Sequence, residues 1–297
     1  MVPLVTPLNA HYEIDFTALE QLINHVIQGG IHGIFILGTT GEATSLTYKQ
    51  RESLIERTHL FISQRVPFWV GISDTVVQDS LRLAACAAAH GAAGVVAAPP
   101  YYRPPQQQEL KKYYLDLANQ VPLPLFLYNF PALTKVEIDP DTVFTLAKHP
   151  NIWGLKDSSG DLSYLQKLLA KSLDTPFTWL VGPEALLLKS MALGTHGGVN
   201  GGANLFPELF VGAFNAFQQK QQEKCETYSK LIQWVGTEIY REGRPNGSFL
   251  KGLKAALATA NLCQNILMPP FESYDIALQK EIGIQQEQIK DQLNLLS

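Results

Sequence analysis

The sequence contains little cysteine and no long hydrophobic run. Its three cysteines, Cys86, Cys225 and Cys263, lie far apart and form no spacing that is typical of a metal site or a redox motif. An odd number of cysteines without a disulfide framework predicts a reducing location, the cytoplasm. No segment approaches the roughly 18 apolar residues of a membrane-spanning helix. The first residues also lack the basic and apolar regions of a signal peptide, so we expect neither a membrane span nor a secretory signal.

Clustered basic charge is also absent. The formal net charge is -4 and no basic run occurs, which argues against binding of nucleic acid. The seven histidines are scattered without a pair at ligand spacing, so the sequence predicts no metal site. Hydrophobic residues make up 46% of the chain and charged residues 17%, which is typical of a globular protein. We therefore expect a globular protein without a nucleic-acid or membrane partner.

Short apolar segments alternate with amphipathic segments along most of the chain. The apolar segments are rich in Val, Ile, Leu or Phe and predict buried strands at residues 2–6, 33–37, 67–72, 94–97, 124–128, 152–156, 177–181 and 197–200. Helical spacing predicts helices at residues 15–29, 47–64, 76–90, 106–121, 139–148, 161–173, 183–193 and 207–219. This alternation predicts an α/β fold in which parallel βα units close into a (β/α)8 TIM barrel.

Two further features define the predicted architecture. An open doubly wound sheet is the alternative, but Thr6-Pro7-Leu8-Asn9 after the first strand is not a Gly-rich dinucleotide-binding turn. From about Gln222 the pattern is purely helical, with predicted helices at residues 224–241, 248–262 and 276–296. We therefore predict a barrel with the catalytic site over residues 1–221, and a C-terminal helical region packed on it over residues 222–297.

Lys156 is the most informative single residue. It ends an apolar segment and precedes the polar run 157–161, so we expect it at the end of a buried strand. Desolvation lowers the pKa of a lysine in apolar surroundings, because it disfavours the charged form. A neutral lysine amine is a nucleophile that can form a Schiff base with a carbonyl substrate. The alternative is a structural lysine that pairs with Asp157 or Asp161.

Unusual residues also follow other predicted strands, where barrels place their active sites. Gly38-Thr39-Thr40-Gly41-Glu42 follows the second strand and can present N–H groups and hydroxyls to an anion, although a plain polar turn is the alternative. Tyr101 and Tyr102 follow the fourth strand between prolines, which restrict the backbone. Tyr128 ends the fifth strand and can exchange a proton, or it can be a structural aromatic residue.

Three of these segments resemble the dihydrodipicolinate synthase/N-acetylneuraminate lyase family of Schiff-base lyases. They are Gly38-Thr39-Thr40-Gly41-Glu42, Tyr128-Asn129-Phe130-Pro131 and Gly154-Leu155-Lys156-Asp157, in the order and spacing of the family. The resemblance covers essentially the whole chain, including its helical end. It implies a pyruvate-dependent class I aldolase or lyase that needs no metal or organic cofactor. It also implies a homo-oligomer, either a dimer or a tetramer built from two dimers.

The resemblance implies catalytic roles for four residues. Lys156 would attack the keto carbon of pyruvate, or of a 2-oxo acid whose cleavage yields pyruvate. Tyr128 would transfer protons during Schiff-base formation and at the bond that is made or broken. Thr39 and Tyr102 look like the other members of a hydroxyl relay to Tyr128. In the family, the second aromatic residue of the pair can reach into the neighbouring subunit.

The resemblance also implies substrate-binding residues. Thr40 and Gly41 belong to the turn that would hold the pyruvate carboxylate, and Val199 matches a hydrophobic position beside the bound pyruvate. Leu133 occupies the position where dihydrodipicolinate synthases typically carry an arginine that contacts the carboxylate of the second substrate. An apolar residue cannot provide that bidentate contact. The Tyr-Asn-x-Pro-Ala-Leu segment is more similar to the sialic-acid lyase and 2-keto-3-deoxy-sugar-acid aldolase branches.

The expected reaction is therefore the cleavage of a 2-oxo acid into pyruvate and a hydroxylated aldehyde, or the reverse condensation. The expected 2-oxo acid is a 2-keto-3-deoxy sugar acid. Two alternatives stay open. One is 4-hydroxy-tetrahydrodipicolinate synthase, the dihydrodipicolinate synthase reaction itself. The other is a barrel that binds a keto acid without catalysis.

Overall fold

The eight strands form one parallel sheet in sequential order. The computed structural model describes residues 1–171, 173, 176–245 and 247–296. Its strands pair in the order β1 to β8, so the predicted number, order and direction of the barrel strands are confirmed. The strands are β1 Val2–Pro3, β2 Ile34–Ile36, β3 Phe68–Gly71, β4 Gly94–Ala97, β5 Leu125–Asn129, β6 Ile152–Asp157, β7 Thr178–Val181 and β8 Gly197–Gly198.

The first and last strands are shorter than predicted, and they lie side by side. The Met1 amino group donates to the Gly198 carbonyl over 2.9 Å, and the Asn200 N–H donates to the Met1 carbonyl over 3.3 Å. These bonds bring β8 next to β1, so the sheet is curled in the manner of a TIM barrel. Beyond Pro3, the Val5 N–H turns to the Asn204 side chain at 2.9 Å, which ends the ladder before Thr6.

Helices follow the strands as the sequence pattern predicts. They are α1 Phe16–Gln28, α2 Tyr48–Ile62, α3 Val77–Ala89, α4 Gln107–Gln120, α5 Pro131–Thr134, α6 Pro140–Leu146, α7 Leu162–Leu169, α8 Leu187–Leu193 and α9 Pro207–Gln218. The short helix α5 was not predicted. The predicted helix 161–173 ends at Leu169, and Ser172 in that prediction lies outside the described residues.

The helix ends show why these segments are helical. Asp15 begins α1 as predicted, because its carboxylate accepts a hydrogen bond from the Ala18 N–H at 3.0 Å. Thr47 and Gln50 form a reciprocal capping box at the start of α2. Each cap satisfies N–H groups that have no partner within the helix, so the boundaries are set locally.

Large and small residues alternate in the interior of the sheet. The rings of Trp69 and Phe126 meet edge to face at 4.7 Å between centroids. A β-carbon at Gly94 would lie 2.0 Å from the Trp69 ring, and one at Gly154 would lie 2.5 Å from the Phe126 ring. All four residues lie in the first half of their strands, so this packing is near the strand beginnings.

The C-terminal region is helical, as predicted, and it contains one irregular turn. Its helices are α10 Gln222–Trp234, α11 Phe249–Thr259 and α12 Ile276–Asn294, and a π-helix at Val235–Ile239 continues α10. The boundary predicted between residues 221 and 222 stays a prediction. Within the described residues, no helix combines the length and apolar character that crossing a membrane requires.

Candidate functional site

Lys156 lies at the carboxyl end of β6 with its side chain inside the barrel. The residue is 6% exposed, and its Nζ lies 4.0 Å from the centre of the Tyr128 ring and 5.2 Å from that of Phe35. In the described part of the chain, no carboxylate lies within 4.0 Å of this amine. A buried ammonium without an anionic partner is costly, so this environment is unusual for a structural lysine.

The neighbouring aspartates are engaged elsewhere. Consecutive strand residues point to opposite faces, so Asp157 points away from the interior that holds Lys156. The Asp157 carboxylate accepts hydrogen bonds from the Asn129 side chain at 2.8 Å and from the Ser159 hydroxyl at 2.9 Å. Burial raises the pKa of Asp157, and these hydrogen bonds oppose that shift. Asp161 begins α7, so the alternative of a structural pair with Lys156 is not what the structure shows.

Tyr128 lies directly beside Lys156 on the adjacent strand. The two residues are register partners in the β5–β6 ladder, and Tyr128 is 6% exposed. The Tyr128 hydroxyl and the Thr39 Oγ1 are 3.3 Å apart, and either oxygen can be the donor. Two strand ends and one turn thus bring a phenol, a hydroxyl and an amine together.

The turn after β2 presents unused hydrogen-bond donors. Within the described residues, the N–H groups of Thr39 and Thr40 and the Thr40 hydroxyl have no protein partner. Gly41 differs, because its N–H donates to Gly38 at 3.1 Å and its carbonyl accepts from the Thr6 hydroxyl at 2.7 Å. Gly41 therefore shapes the turn, and its role in substrate binding stays a prediction.

A cavity of about 930 Å³ opens at this end of the barrel. Its wall includes most of the side chains singled out in the sequence, namely Thr39, Thr40, Tyr128, Leu133, Lys156 and Val199. Val199 is 4% exposed and belongs to the interior apolar cluster that also contains Phe35 and Tyr128. Leu133 lies on α5 and is 53% exposed. The volume is in the range of cavities that bind small molecules.

Tyr102 is the exception among the predicted residues. Its side chain is 93% exposed, and it does not contribute to the cavity of its own chain. Its φ of 73° is unusual for a residue other than glycine. The single chain therefore brings Thr39 and Tyr128 together and leaves Tyr102 outside.

The carboxylate of Glu184 in the cavity wall was not predicted from the sequence. Glu184 follows β7 and accepts hydrogen bonds from the Gly202 N–H at 2.6 Å and from the Tyr240 hydroxyl at 3.0 Å. Burial raises the pKa of Glu184 from 4.5 to about 7, and these hydrogen bonds oppose that shift. Its position after a strand end was the available signal, the same one that identified Lys156.

The C-terminal region forms the outer wall of the cavity. Contributing residues are Gln233, Thr237, Tyr240, Phe249 and Phe271, and two lysines, Lys189 and Lys251, line the cavity as well. Among the described residues of this wall there is no arginine. The region beyond residue 222 therefore shapes the space available to a substrate.

Known proteins share both this sequence and this fold. The model of the dihydrodipicolinate synthetase family matches residues 1–288. A 4-hydroxy-tetrahydrodipicolinate synthase of Thermodesulfovibrio yellowstonii is 33% identical over 245 residues, 82% of this chain and 84% of that protein. YjhH of Escherichia coli, a probable 2-dehydro-3-deoxy-D-pentonate aldolase, is 33% identical over 236 residues, 77% of this chain and 78% of that protein.

A solved structure agrees in the same way. The dihydrodipicolinate synthase of Bacteroides thetaiotaomicron superposes with a TM-score of 0.92 and is 43% identical, with 97% of each chain covered. The predicted family is thus confirmed, whereas the predicted preference for its aldolase branches is not. Members of this family are pyruvate-dependent lyases. The chain belongs to the dihydrodipicolinate synthetase family, and it is a lyase.

Proposed function

We propose that this lyase forms a Schiff base between Lys156 and the keto carbon of pyruvate or of a pyruvate-yielding 2-oxo acid. The observation that carries the proposal is the buried Nζ of Lys156, which lies 4.0 Å from the Tyr128 ring centre and has no carboxylate beside it in the described structure. The amine attacks the carbonyl, water leaves and a C=N bond forms. The resulting iminium is the electron sink for breaking or making the carbon–carbon bond.

The turn after β2 is suited to hold the substrate carboxylate. The free N–H groups of Thr39 and Thr40 and the Thr40 hydroxyl offer three donors at the edge of the cavity. Aligned backbone donors stabilise an anion without reorganisation, so they can orient the keto carbon toward Lys156. Val199 supplies an apolar surface beside the bound acid. No metal or organic cofactor takes part in this proposed chemistry.

Tyr128 and Thr39 are the proposed path for protons. Their oxygens are 3.3 Å apart, which is a long hydrogen bond that a bound substrate can shorten. We propose that Tyr102 of a neighbouring subunit completes the relay, because this side chain is 93% exposed on its own chain. The proposal requires a symmetric dimer, or a tetramer built from two dimers. Sedimentation that shows an active monomer at assay concentration would show that Tyr102 takes no part in the relay.

We propose a 2-keto-3-deoxy sugar acid as the substrate class. Leu133 lines the cavity, and the described wall contains no arginine to clamp a second carboxylate. Hydroxyl and amide side chains such as Thr44, Gln233 and Thr237 lie on the same wall and can bind a hydroxylated aldehyde. A cytoplasmic location is part of the proposal, because the three free cysteines suit a reducing compartment.

The dihydrodipicolinate synthase reaction is the second candidate. The 43% identical Bacteroides structure carries that name, and Lys189 and Lys251 can offer positive charge to a carboxylate in the cavity. The sequence relatives at 33% identity carry both kinds of name, so they favour neither substrate.

Turnover assays separate these candidates. Pyruvate release is measured from 2-keto-3-deoxy pentonates, 2-keto-3-deoxy hexonates and N-acetylneuraminate, and pyruvate condensation is measured with aspartate semialdehyde. Lys156→Ala is the control for every reaction. We expect the highest kcat/KM with a 2-keto-3-deoxy sugar acid. A higher value with aspartate semialdehyde would establish the second candidate instead. Adduct formation without release or consumption of any aldehyde would indicate a non-catalytic keto-acid-binding barrel.

A further inference from the structure

The turn that carries Thr39 and Thr40 is strained at both of its ends. Leu37 has a φ of 56° and Glu42 a φ of 54°, and neither is glycine. A β-carbon at Gly71 would lie 2.0 Å from the Leu37 carbonyl oxygen, so the strained backbone is also packed tightly against β3. Left-handed backbone at residues other than glycine persists only where surrounding contacts hold it. The contacts that hold Glu42 are therefore important for the shape of this turn.

Those contacts come from the C-terminal region. The Glu42 carboxylate forms an ion pair with Lys254 of α11, and the two side chains are 3% and 0% exposed. The other Glu42 oxygen accepts a hydrogen bond from the Met268 N–H at 2.8 Å. Lys254 also donates to the Ile266 carbonyl at 2.6 Å. One buried carboxylate is thus bound by a helix and by the segment that follows it.

Hydrogen bonds link Glu42 directly to the proposed site. The Glu42 N–H donates to the Thr39 carbonyl at 3.1 Å, and the Thr39 hydroxyl lies 3.3 Å from the Tyr128 hydroxyl. A shift of Glu42 would therefore move Thr39, whose free N–H and hydroxyl both belong to the proposed machinery. Pre-organised donors lose much of their effect when they are displaced by about 1 Å.

We propose that Glu42 and Lys254 are positioning residues, through which the C-terminal helical region holds the Thr39–Thr40 anion site in its binding geometry. Neither residue has to contact the reacting atoms for this role. The inference rests on the proposed function, because it concerns the site that would bind the pyruvate carboxylate. It assigns the C-terminal region a second task besides forming the outer wall of the cavity.

A purely structural ion pair is the alternative explanation. Removal of one partner of a buried pair leaves an uncompensated charge and destabilises the fold, whatever happens at the active site. If the pair is purely structural, its removal should lower the unfolding temperature, Tm, without changing the pyruvate concentration needed for half-maximal trapping at Lys156. The test has to separate these two effects.

The variants are Lys254→Met, Glu42→Gln and the double variant E42Q/K254M. The double variant removes both charges, and its glutamine can still accept from Met268, so its Tm should recover toward the wild type if either single variant folds poorly. Ile282→Ala is the matched control, because Ile282 is 1% exposed in α12 and makes no ion pair. This substitution should lower Tm by weakening the packing of the C-terminal region, and it leaves the Glu42 side chain unchanged.

The first readout is the pyruvate concentration that gives half-maximal borohydride trapping at Lys156, measured well below each Tm. We expect this concentration to rise about tenfold or more in all three charge variants, and by less than twofold in Ile282→Ala. A rise of less than twofold in E42Q/K254M, or a rise in Ile282→Ala that matches its loss of Tm, would overturn the inference.

The second readout needs no pyruvate. Hydrogen exchange of the peptide that spans residues 37–46 should be at least tenfold faster in E42Q/K254M than in the wild type. The reason is that the turn opens more often, which exposes the Gly41 and Glu42 amides to solvent. Unchanged exchange would contradict the inference. If wild-type Lys156 forms no pyruvate adduct, the proposed function fails, and the exchange readout still decides whether Glu42 and Lys254 together position the turn.

Discussion

Tyr128 and Lys156 are register partners on β5 and β6, and the lysine Nζ lies 4.0 Å from the centre of the tyrosine ring. The face of an aromatic ring attracts a cation, so the ring can stabilise the iminium that forms on Lys156. The hydroxyl of the same tyrosine reaches Thr39. One side chain can therefore stabilise the charged intermediate through its ring and move protons through its oxygen.

Tyr128→Phe separates these two roles. The substitution keeps the ring over Lys156 and removes only the hydroxyl, so the fold should be unchanged. We expect kcat to fall by roughly 10²–10⁴-fold, the range of a general acid–base residue. Tyr164→Phe is the matched control, because it removes a buried hydroxyl that bonds to the Ile138 carbonyl. Equal losses in the two variants would contradict a proton-transfer role for Tyr128.

Thr40→Val tests the anion site. The substitution keeps the shape of the side chain and removes one of the three proposed carboxylate donors. We expect the pyruvate KM to rise by about tenfold, since one hydrogen bond to a charged group contributes roughly 1.5–3 kcal/mol, with a smaller change in kcat. Thr40→Ser restores the hydroxyl and should bring KM back. If Thr40→Ser and Thr40→Val behave alike, the hydroxyl does not bind the carboxylate.

Leu133→Arg tests the origin of substrate choice. Leu133 is 53% exposed on the cavity wall, so an arginine can replace it without a buried charge. We expect the ratio of kcat/KM values to shift by about tenfold toward aldehydes that bear a carboxylate. Leu133→Gln is the uncharged control and should give little shift. An unchanged ratio in Leu133→Arg would mean that specificity is determined elsewhere on the cavity wall.

Glu184 should make stability depend on pH in a defined window. The pKa of this carboxyl is about 7 in the folded chain and 4.5 in its reference state. Between these values the folded state binds more protons than the unfolded state, so the free energy of unfolding falls as pH rises. Glu184→Gln removes this titration and keeps an acceptor for Tyr240.

The measurement is denaturant unfolding of the wild type and Glu184→Gln at several pH values. Relative to the wild type, the variant should gain stability from pH 4.5 to just above pH 7, by roughly 1–3 kcal/mol in total. Below pH 4.5 the difference should be constant. A difference that does not change with pH between these limits would show that burial does not raise the pKa of Glu184.

Local sequence patterns predicted the parts of the molecule that depend on local physics. The strand that ends on Lys156 and the aspartate that caps α1 are both visible as short apolar or amphipathic runs with a polar residue at the boundary. The barrel order follows from the alternation of such runs. Parallel βα units then bring the strand ends together, which is why Lys156, Tyr128 and Thr39 could be placed in one site.

Partners that are distant in sequence could not be predicted in this way. Glu42 is bound by Lys254, and Glu184 is bound by Tyr240. Both pairs depend on how the C-terminal helices pack against the barrel. The left-handed backbone at Leu37 gave no signal either, because the residue is not glycine. The substrate-binding role of Gly41 stays a prediction, and the structure adds that its N–H donates to the Gly38 carbonyl within the turn.

The proposed chemistry depends on a covalent bond between Lys156 and the keto acid. The direct measurement is incubation of the wild type with pyruvate and borohydride, followed by proteolysis and peptide mass spectrometry. We expect a reduced pyruvate adduct on Lys156, with Lys189 and Lys251 of the same cavity unmodified, and neither adduct nor turnover in Lys156→Ala. An unmodified Lys156, or wild-type turnover in Lys156→Ala, would contradict it.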